Sequence, residues 1–207
     1  MPGLIGKKLG MTSVFSVDGE LIPVTVIKVD SCRVVNIRTT KKDGYEAVQL
    51  GFGSKKENKV NKSLRGYYKK SKIGPPALLK EFKGFDSNEM KVGDEIKVDL
   101  FKEGEIIKVK GKSIGKGFQG VMKRHGFSGV GGTTHGQSDR LRAPGSIGQS
   151  SSPSRVFKGH KMGGRTGNSN VTISSLKVVK VDTNENLVMI KGAVPGAANS
   201  IVELIKN

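Results

Sequence analysis

The sequence predicts a mainly β protein: an antiparallel sheet closed into a barrel, with a small basic α-containing insertion and a long irregular extension rich in Gly, Arg and Lys. Three observations lead there. Apolar runs of strand length recur along the chain, and no long amphipathic helical pattern interrupts them. The 207 residues are 35% hydrophobic and contain no Trp, so a core must be built from Val, Ile and Leu. The net charge of +18 is concentrated in two blocks instead of being spread.

Taken in order, the strand signals are 21–29 (LIPVTVIKV), 33–39 (RVVNIRT), 47–52 (AVQLGF), 95–100 (EIKVDL), 105–110 (EIIKVK), 171–181 (VTISSLKVVKV), 187–194 (LVMIKGAV) and 201–205 (IVELI). Turn residues divide them, and 182–186 (DTNEN) reads as a hairpin loop. Eight short strands without a long helix argue for a closed barrel, which leaves no exposed edges. The first ten residues, MPGLIGKKLG, are broken by Gly and Lys before a signal-length apolar stretch can form, and no 18-residue apolar run occurs. No membrane partner is therefore expected. Cys32 stands alone, which rules out an internal disulfide, fits a reducing compartment and predicts an inert small residue near a strand end.

The body (1–52, 92–110 and 168–207) is nearly neutral, with fifteen bases against thirteen acids. The first basic block, 53–91, has eleven bases and four acids, with helical character over 61–71 and again over 77–82 after Pro75 and Pro76. Lys55, Lys56, Lys59, Lys62, Arg65, Lys69, Lys70 and Lys72 crowd around Tyr67 and Tyr68. Two readings stand: phosphate contact with stacking on a base or sugar, or tyrosines that simply pack this module onto the barrel.

The second block, 111–167, has ten bases, one acid (Asp139), fifteen of the 29 glycines and three aromatics, Phe118, Phe127 and Phe157. Such a segment cannot bury enough apolar surface to offset its own ordering entropy. It needs a partner, and its charge makes that partner a dense polyanion. Glycine lets the backbone come close to a phosphate or sugar and present its N–H groups.

Catalytic and cofactor motifs fail on context. Residues 115–120 (GKGFQG) match a dinucleotide fingerprint with Asp139 about twenty residues on, but 121–125 run straight into more glycines where a helix of ten or more residues is needed. Residues 111–113 (GKS) resemble the end of a phosphate-binding loop whose first glycine would fall at Ile106. His125, His135 and His160 fit no common zinc spacing and read as hydrogen-bonding or stacking partners for RNA. Thr133, Thr134, His135, Ser138 and Asp139 lack a scaffold to preorganise a nucleophile. The chain is thus read as a non-enzyme with no metal, cofactor or small-molecule substrate.

Several blocks then point to a family. Residues 4–12 (LIGKKLGMT), 116–120 (KGFQG), 144–149 (PGSIGQ), 156–165 (VFKGHKMGGR) and 186–196 (NLVMIKGAVPG) resemble the bacterial large-subunit ribosomal protein L3 family, in order and from end to end. The resemblance implies a translation-protein-type β-barrel and an extension running into large-subunit ribosomal RNA (23S rRNA) toward the peptidyl transferase centre. It also implies early assembly near the rRNA 3′ end, the fourteenth and nineteenth large-subunit proteins as neighbours, and residence in the cytoplasm within the large subunit. On that reading the rRNA-binding residues are Lys7, Lys8, Lys55, Lys56, Lys59, Lys62, Arg65, Lys116, Lys123, Arg124, His125, His135, Arg140, Arg142, Gly145, Gly148, Gln149, Arg155, Lys158, His160, Lys161 and Arg165. The extension would replace counterions between converging RNA helices.

Two departures matter. Ser151 stands where some bacterial members carry a methylated glutamine, so that modification is not expected. The tryptophan at the extension tip of eukaryotic members has no counterpart in this chain. The competing classes are an enzyme using the barrel as a nucleotide or flavin site, and a general polyanion- or RNA-binding protein.

Overall fold

The computed structural model describes residues 1–16, 18–71, 73–85, 90–131, 136 and 140–207. The chain runs β1 (Gly3–Phe15), β2 (Leu21–Lys28), β3 (Cys32–Arg38), α1 (Thr40–Asp43), β4 (Ala47–Phe52), α2 (Lys62–Lys70), β5 (Leu78–Phe82), β6 (Glu95–Ile96) and β7 (Ile106–Lys112). It continues through β8 (Gly117–Gln119), α3 (Val121–His125), β9 (Gly164–Thr166), β10 (Asn170–Asp182), β11 (Leu187–Lys191) and β12 (Ile201–Lys206). Two compact units result: unit 1 is Met1–Ser113 with Asn170–Asn207, and unit 2 is Ile114–Ser169.

In unit 1 six strands close an antiparallel barrel in the order β1-β12-β7-β10-β11-β2. Period-two burial follows from the pleat: Ile107 and Val109, Val188 and Ile190, and Val202 and Leu204 are buried while their neighbours are less so. Register sets Leu4 opposite Leu204 and Leu204 opposite Val109, a row of branched side chains across three strands. Thr25, the buried polar side chain of this core, donates its hydroxyl to the Gly192 carbonyl at 2.6 Å.

The barrel has six strands, not eight. The runs expected at 33–39, 47–52 and 95–100 instead contribute to a separate four-stranded antiparallel sheet in the order β5-β4-β3-β6. Its apolar residues Val34, Val48, Leu50, Phe52 and Phe82 share one core cluster with Leu4, Ile5 and Leu204. That packing explains β1, the strand that the sequence pattern hid. Gly3 to Gly6 are buried in succession because both faces of the strand are covered. A Cβ on Gly3 would lie 2.4 Å from the Leu204 carbonyl oxygen and 2.8 Å from the Phe82 ring, and one on Gly6 would lie 2.5 Å from Ile27 Cγ2. The glycines that resemble breaks are what lets three layers close.

The helix expected over 77–82 is also corrected. Residues 78–82 form β5, with Leu78 opposite Phe52 and Phe82 opposite Val48. Pairing with β4 outweighs the helical preference of Leu, Lys and Glu. The helix expected over 61–71 is present as α2, and the loop at 182–186 joins β10 to β11, with Asp182 Oδ1 accepting from the Asn184 and Glu185 amides.

Of the two readings of the tyrosines, packing is what the structure shows. Tyr68 is buried with Val35 and Val60, and Tyr67 donates its hydroxyl to Gln49 Oε1 at 2.7 Å. Burial pushes the Tyr68 phenol up from its usual range. Cys32 opens β3, buried, with its thiol donating toward the Ile5 carbonyl at 3.4 Å. Desolvation, opposed by that hydrogen bond, pushes its pKa up to about 11, so it stays a neutral thiol.

Candidate nucleic-acid interface

Unit 2 organises itself with backbone and polar contacts in place of a core. Among its described residues only Val121 is buried. The strands β8 and β9 form a two-stranded ribbon with Phe118 opposite Arg165 and Gln119 opposite Gly164. The Lys116 amide extends the pairing by donating to the Thr166 carbonyl at 2.9 Å. After Gly120 the chain makes the single turn of α3, which stops at Gly126 in the left-handed region (φ +73°), where the Gly126 amide donates to the Met122 carbonyl. That five-residue helix is too short for the dinucleotide reading of 115–120.

The turn of α3 aims two predicted site residues at one acceptor. Arg124 Nη1 donates to the Met162 carbonyl at 2.7 Å, and His125 Nε2 lies 3.0 Å from the same oxygen. A carbonyl only accepts, so Nε2 carries the hydrogen. The Arg124 guanidinium lies over Gly164, where a Cβ would be 2.5 Å from Nη1. Arg124 thus ties α3 to the segment leading into β9 while the residue stays exposed. His125 also leans on Phe127, with centroids 6.1 Å apart.

Further along, Gly129 (φ +93°) lets the chain cross itself, since a Cβ there would lie 2.0 Å from the Leu141 carbonyl oxygen. The Ala143 amide donates to the Arg140 carbonyl at 3.1 Å, which closes a turn that displays Arg140 and Arg142. Gly145 takes φ +81°, and the Ser146 hydroxyl donates to the Gly148 carbonyl at 2.9 Å. Ser154 donates to the Ser151 carbonyl, and the Arg155 guanidinium carbon lies 5.7 Å from the Phe157 ring centroid. Lys158, His160 and Lys161 follow, all exposed like Gln149.

The electrostatic contrast is sharp. Every ion pair among the described residues lies in unit 1, where Arg33–Glu95, Arg38–Asp43, Lys80–Glu203 and Lys206–Glu105 use up acids. In unit 2 the side chains of Lys116, Lys123, Arg140, Arg142, Arg155, Lys158, Lys161 and Arg165 are exposed without a carboxylate partner among the described residues. Nine bases and one acid leave that unit at +8. Unneutralised cations at this density, carried by backbone that many glycines leave open, suit the phosphates of a folded nucleic acid.

The other predicted positions lie in unit 1. Lys55, Lys56, Lys59 and Lys62 are exposed, and Arg65 is exposed with its Nε donating to the Val60 carbonyl at 2.9 Å. Lys7 is half-buried. Lys8 donates to the Val194 and Gly196 carbonyls at 2.8 and 2.9 Å, a structural tether that leaves one hydrogen for any other acceptor. His135, Lys72 and the acid Asp139 lie outside the described residues. Among the described residues no group of His, Cys, Asp or Glu could hold a metal ion, and no helix is long and apolar enough to cross a membrane. Phe118 and Phe157, large apolar side chains in a segment too poor in apolar partners to bury them, are both exposed.

Comparison with known proteins places the chain among its relatives. Residues 80–187 match the family model described as ribosomal protein L3. The large ribosomal subunit protein uL3 of Chloroherpeton thalassium is 52% identical over 206 residues, covering 99% of both chains. The protein of the same name from Chlorobaculum parvum is 51% identical, covering 99% of this chain and 98% of its own.

Proposed function

This chain belongs to the ribosomal protein L3 family, and from that premise we propose that it is built into the large ribosomal subunit by binding large-subunit rRNA directly, mainly through unit 2. Its family is structural and not enzymatic. Within the large subunit, in the cytoplasm, it partners rRNA and other ribosomal proteins. The finer reading is that it nucleates early assembly near the 3′ end of the 23S rRNA and extends toward the peptidyl transferase centre, beside the fourteenth and nineteenth large-subunit proteins.

One observation carries the proposal: unit 2 combines a net +8 with almost no buried apolar side chain. The phosphate contacts belong to Lys116, Lys123, Arg140, Arg142, Arg155, Lys158, Lys161 and Arg165, with Arg124 acting from its anchored position. Arginines add bidentate geometry, and lysines add point charge. Lys55, Lys56, Lys59, Lys62 and Arg65 supply a second, smaller contact from unit 1. Footprinting on in vitro transcribed large-subunit rRNA, with affinity measured across salt, tests this. The expected result is a confined footprint and a log–log slope of about 0.7 to 0.9 per phosphate neutralised. Equal affinity for unrelated RNA or heparin would favour the general polyanion binder instead.

A further inference from the structure

A single exposed phenylalanine needs no explanation on a protein surface. Unit 2 exposes two of its three, Phe118 at 79% and Phe157 at 58%, and each is flanked by an arginine. Phe118 and Arg165 are directly opposite on the β8–β9 ribbon, so both side chains leave from the same face. Gly163 lies on that face too: a Cβ there would be 3.3 Å from the Phe118 ring, so the ring rests against bare backbone and is held while most of it stays open. At Phe157 the Arg155 guanidinium covers one side of the ring. Each ring is therefore backed by its own chain on one side and presented to solvent on the other. The third ring of unit 2, Phe127, is instead half-buried beside His125.

We infer that Phe118 with Arg165, and Phe157 with Arg155, are two stacking platforms for unpaired nucleobases, so that unit 2 selects looped or bulged RNA over continuous duplex. This rests on the rRNA-binding reading above and adds to it which RNA elements are recognised. Paired bases in an A-form helix keep their faces in the stack, and only unstacked bases offer one to an aromatic ring or a guanidinium plane. The cations that draw in phosphates place those bases within reach, which favours RNA over an apolar protein surface as the occupant.

The test uses the full chain, a single-stranded RNA oligomer, a fully paired RNA duplex of the same length, and large-subunit rRNA. Phe118→Leu and Phe157→Leu keep apolar bulk but remove the ring. Each is expected to weaken single-strand and rRNA binding about five- to hundredfold, with the salt slope unchanged because no phosphate contact is lost. Duplex binding should not move, and Phe118→Tyr should bind as wild type. The inference is overturned if the Leu variants bind the single strand like wild type, or if they lose single strand and duplex equally. Normal RNA binding with failed subunit assembly would assign the rings to a protein neighbour and overturn it as well. Failure of the wild-type chain to bind any of the RNAs would overturn the rRNA-binding reading itself, an outcome distinct from all of these.

Discussion

Unit 1 and unit 2 follow opposite rules for the same residue types. Unit 1 buries many of its Val, Ile and Leu in a large core cluster with a smaller one around Val35 and Val60, and pairs several of its acids with bases. Unit 2 leaves Phe118, Phe157, Ile114 and Ile147 exposed, buries only Val121 among its described residues, and has one acid for nine bases. Glycine does not divide this way. Gly3 and Gly6 of unit 1 and Gly129 and Gly164 of unit 2 all sit where a Cβ would clash, whereas Gly44 of unit 1 and Gly145 of unit 2 hold positive φ with open space around them. Folding energy is thus complete within unit 1, while unit 2 has binding groups in excess of anything its own chain can satisfy.

The strongest way to break this contrast is to remove unit 2. Within unit 1, β7 and β10 are paired with Lys112 opposite Asn170, so deleting residues 115–165 leaves a short hairpin loop joining two strands that already meet. The shortened chain is expected to fold cooperatively and to lose about a thousandfold or more of its rRNA affinity at 0.1 M salt, along with most of the salt dependence. Unchanged affinity and slope would show that unit 1 binds by itself.

A second measurement compares how each unit opens. Cys32 is buried and its thiol is neutral up to about pH 11, so alkylation at pH 8 should wait for global unfolding of unit 1. Trypsin should cut the free protein first after Arg155, Lys158 or Lys161, which are exposed and outside any strand or helix, and rRNA should protect those sites. Alkylation of Cys32 as fast as the tryptic cuts would mean that the two units share one stability.

Much of this contrast was legible in the sequence, and the exceptions have physical causes. Five of the six barrel strands show as apolar runs, since Ile107 and Val109 or Val202 and Leu204 alternate with less buried positions. β1 escapes because Gly3, Gly6, Lys7 and Lys8 signal a break; only the neighbouring layers make glycine the fitting residue there. The division of strands between barrel and second sheet escapes too, because pairing partners lie far apart in the chain. In unit 2 the charge map exposes the cations directly. The anchoring of Arg124 and His125 on the Met162 carbonyl depends on a contact across nearly forty residues, which no local pattern encodes.

Matched truncations sharpen the comparison at lower cost to the molecule. Leu204 is fully buried between Leu4 and Val109, so Leu204→Ala should destabilise unit 1 by about 2–5 kcal/mol in denaturant unfolding. Leu141→Ala, at an exposed position of unit 2, should shift the same transition by no more than about 0.5 kcal/mol. Equal effects would show that unit 2 shares the cooperative core.

The smallest effect separates two glycines only three residues apart. Gly145 has φ +81°, a region that side chains with a Cβ rarely adopt, so Gly145→Arg strains the backbone even though the space around it is open. Gly148 has no such φ, and a Cβ there would meet only the Arg155 carbonyl oxygen, at 4.0 Å. Nothing within the protein therefore requires glycine at 148. If rRNA near the peptidyl transferase centre passes close to that backbone, Gly148→Arg leaves the isolated protein as stable as wild type yet shifts nearby nucleotides in the assembled subunit. Chemical probing of those nucleotides, together with the rate of peptide transfer by purified mutant subunits, reads the shift directly. Gly145→Arg, which combines strain with bulk, should also lower the stability or assembly yield of the protein. Full assembly of the Gly148→Arg subunit with an unchanged probing pattern and rate would mean that 148 faces open solvent in the ribosome, and that its glycine carries no contact with RNA.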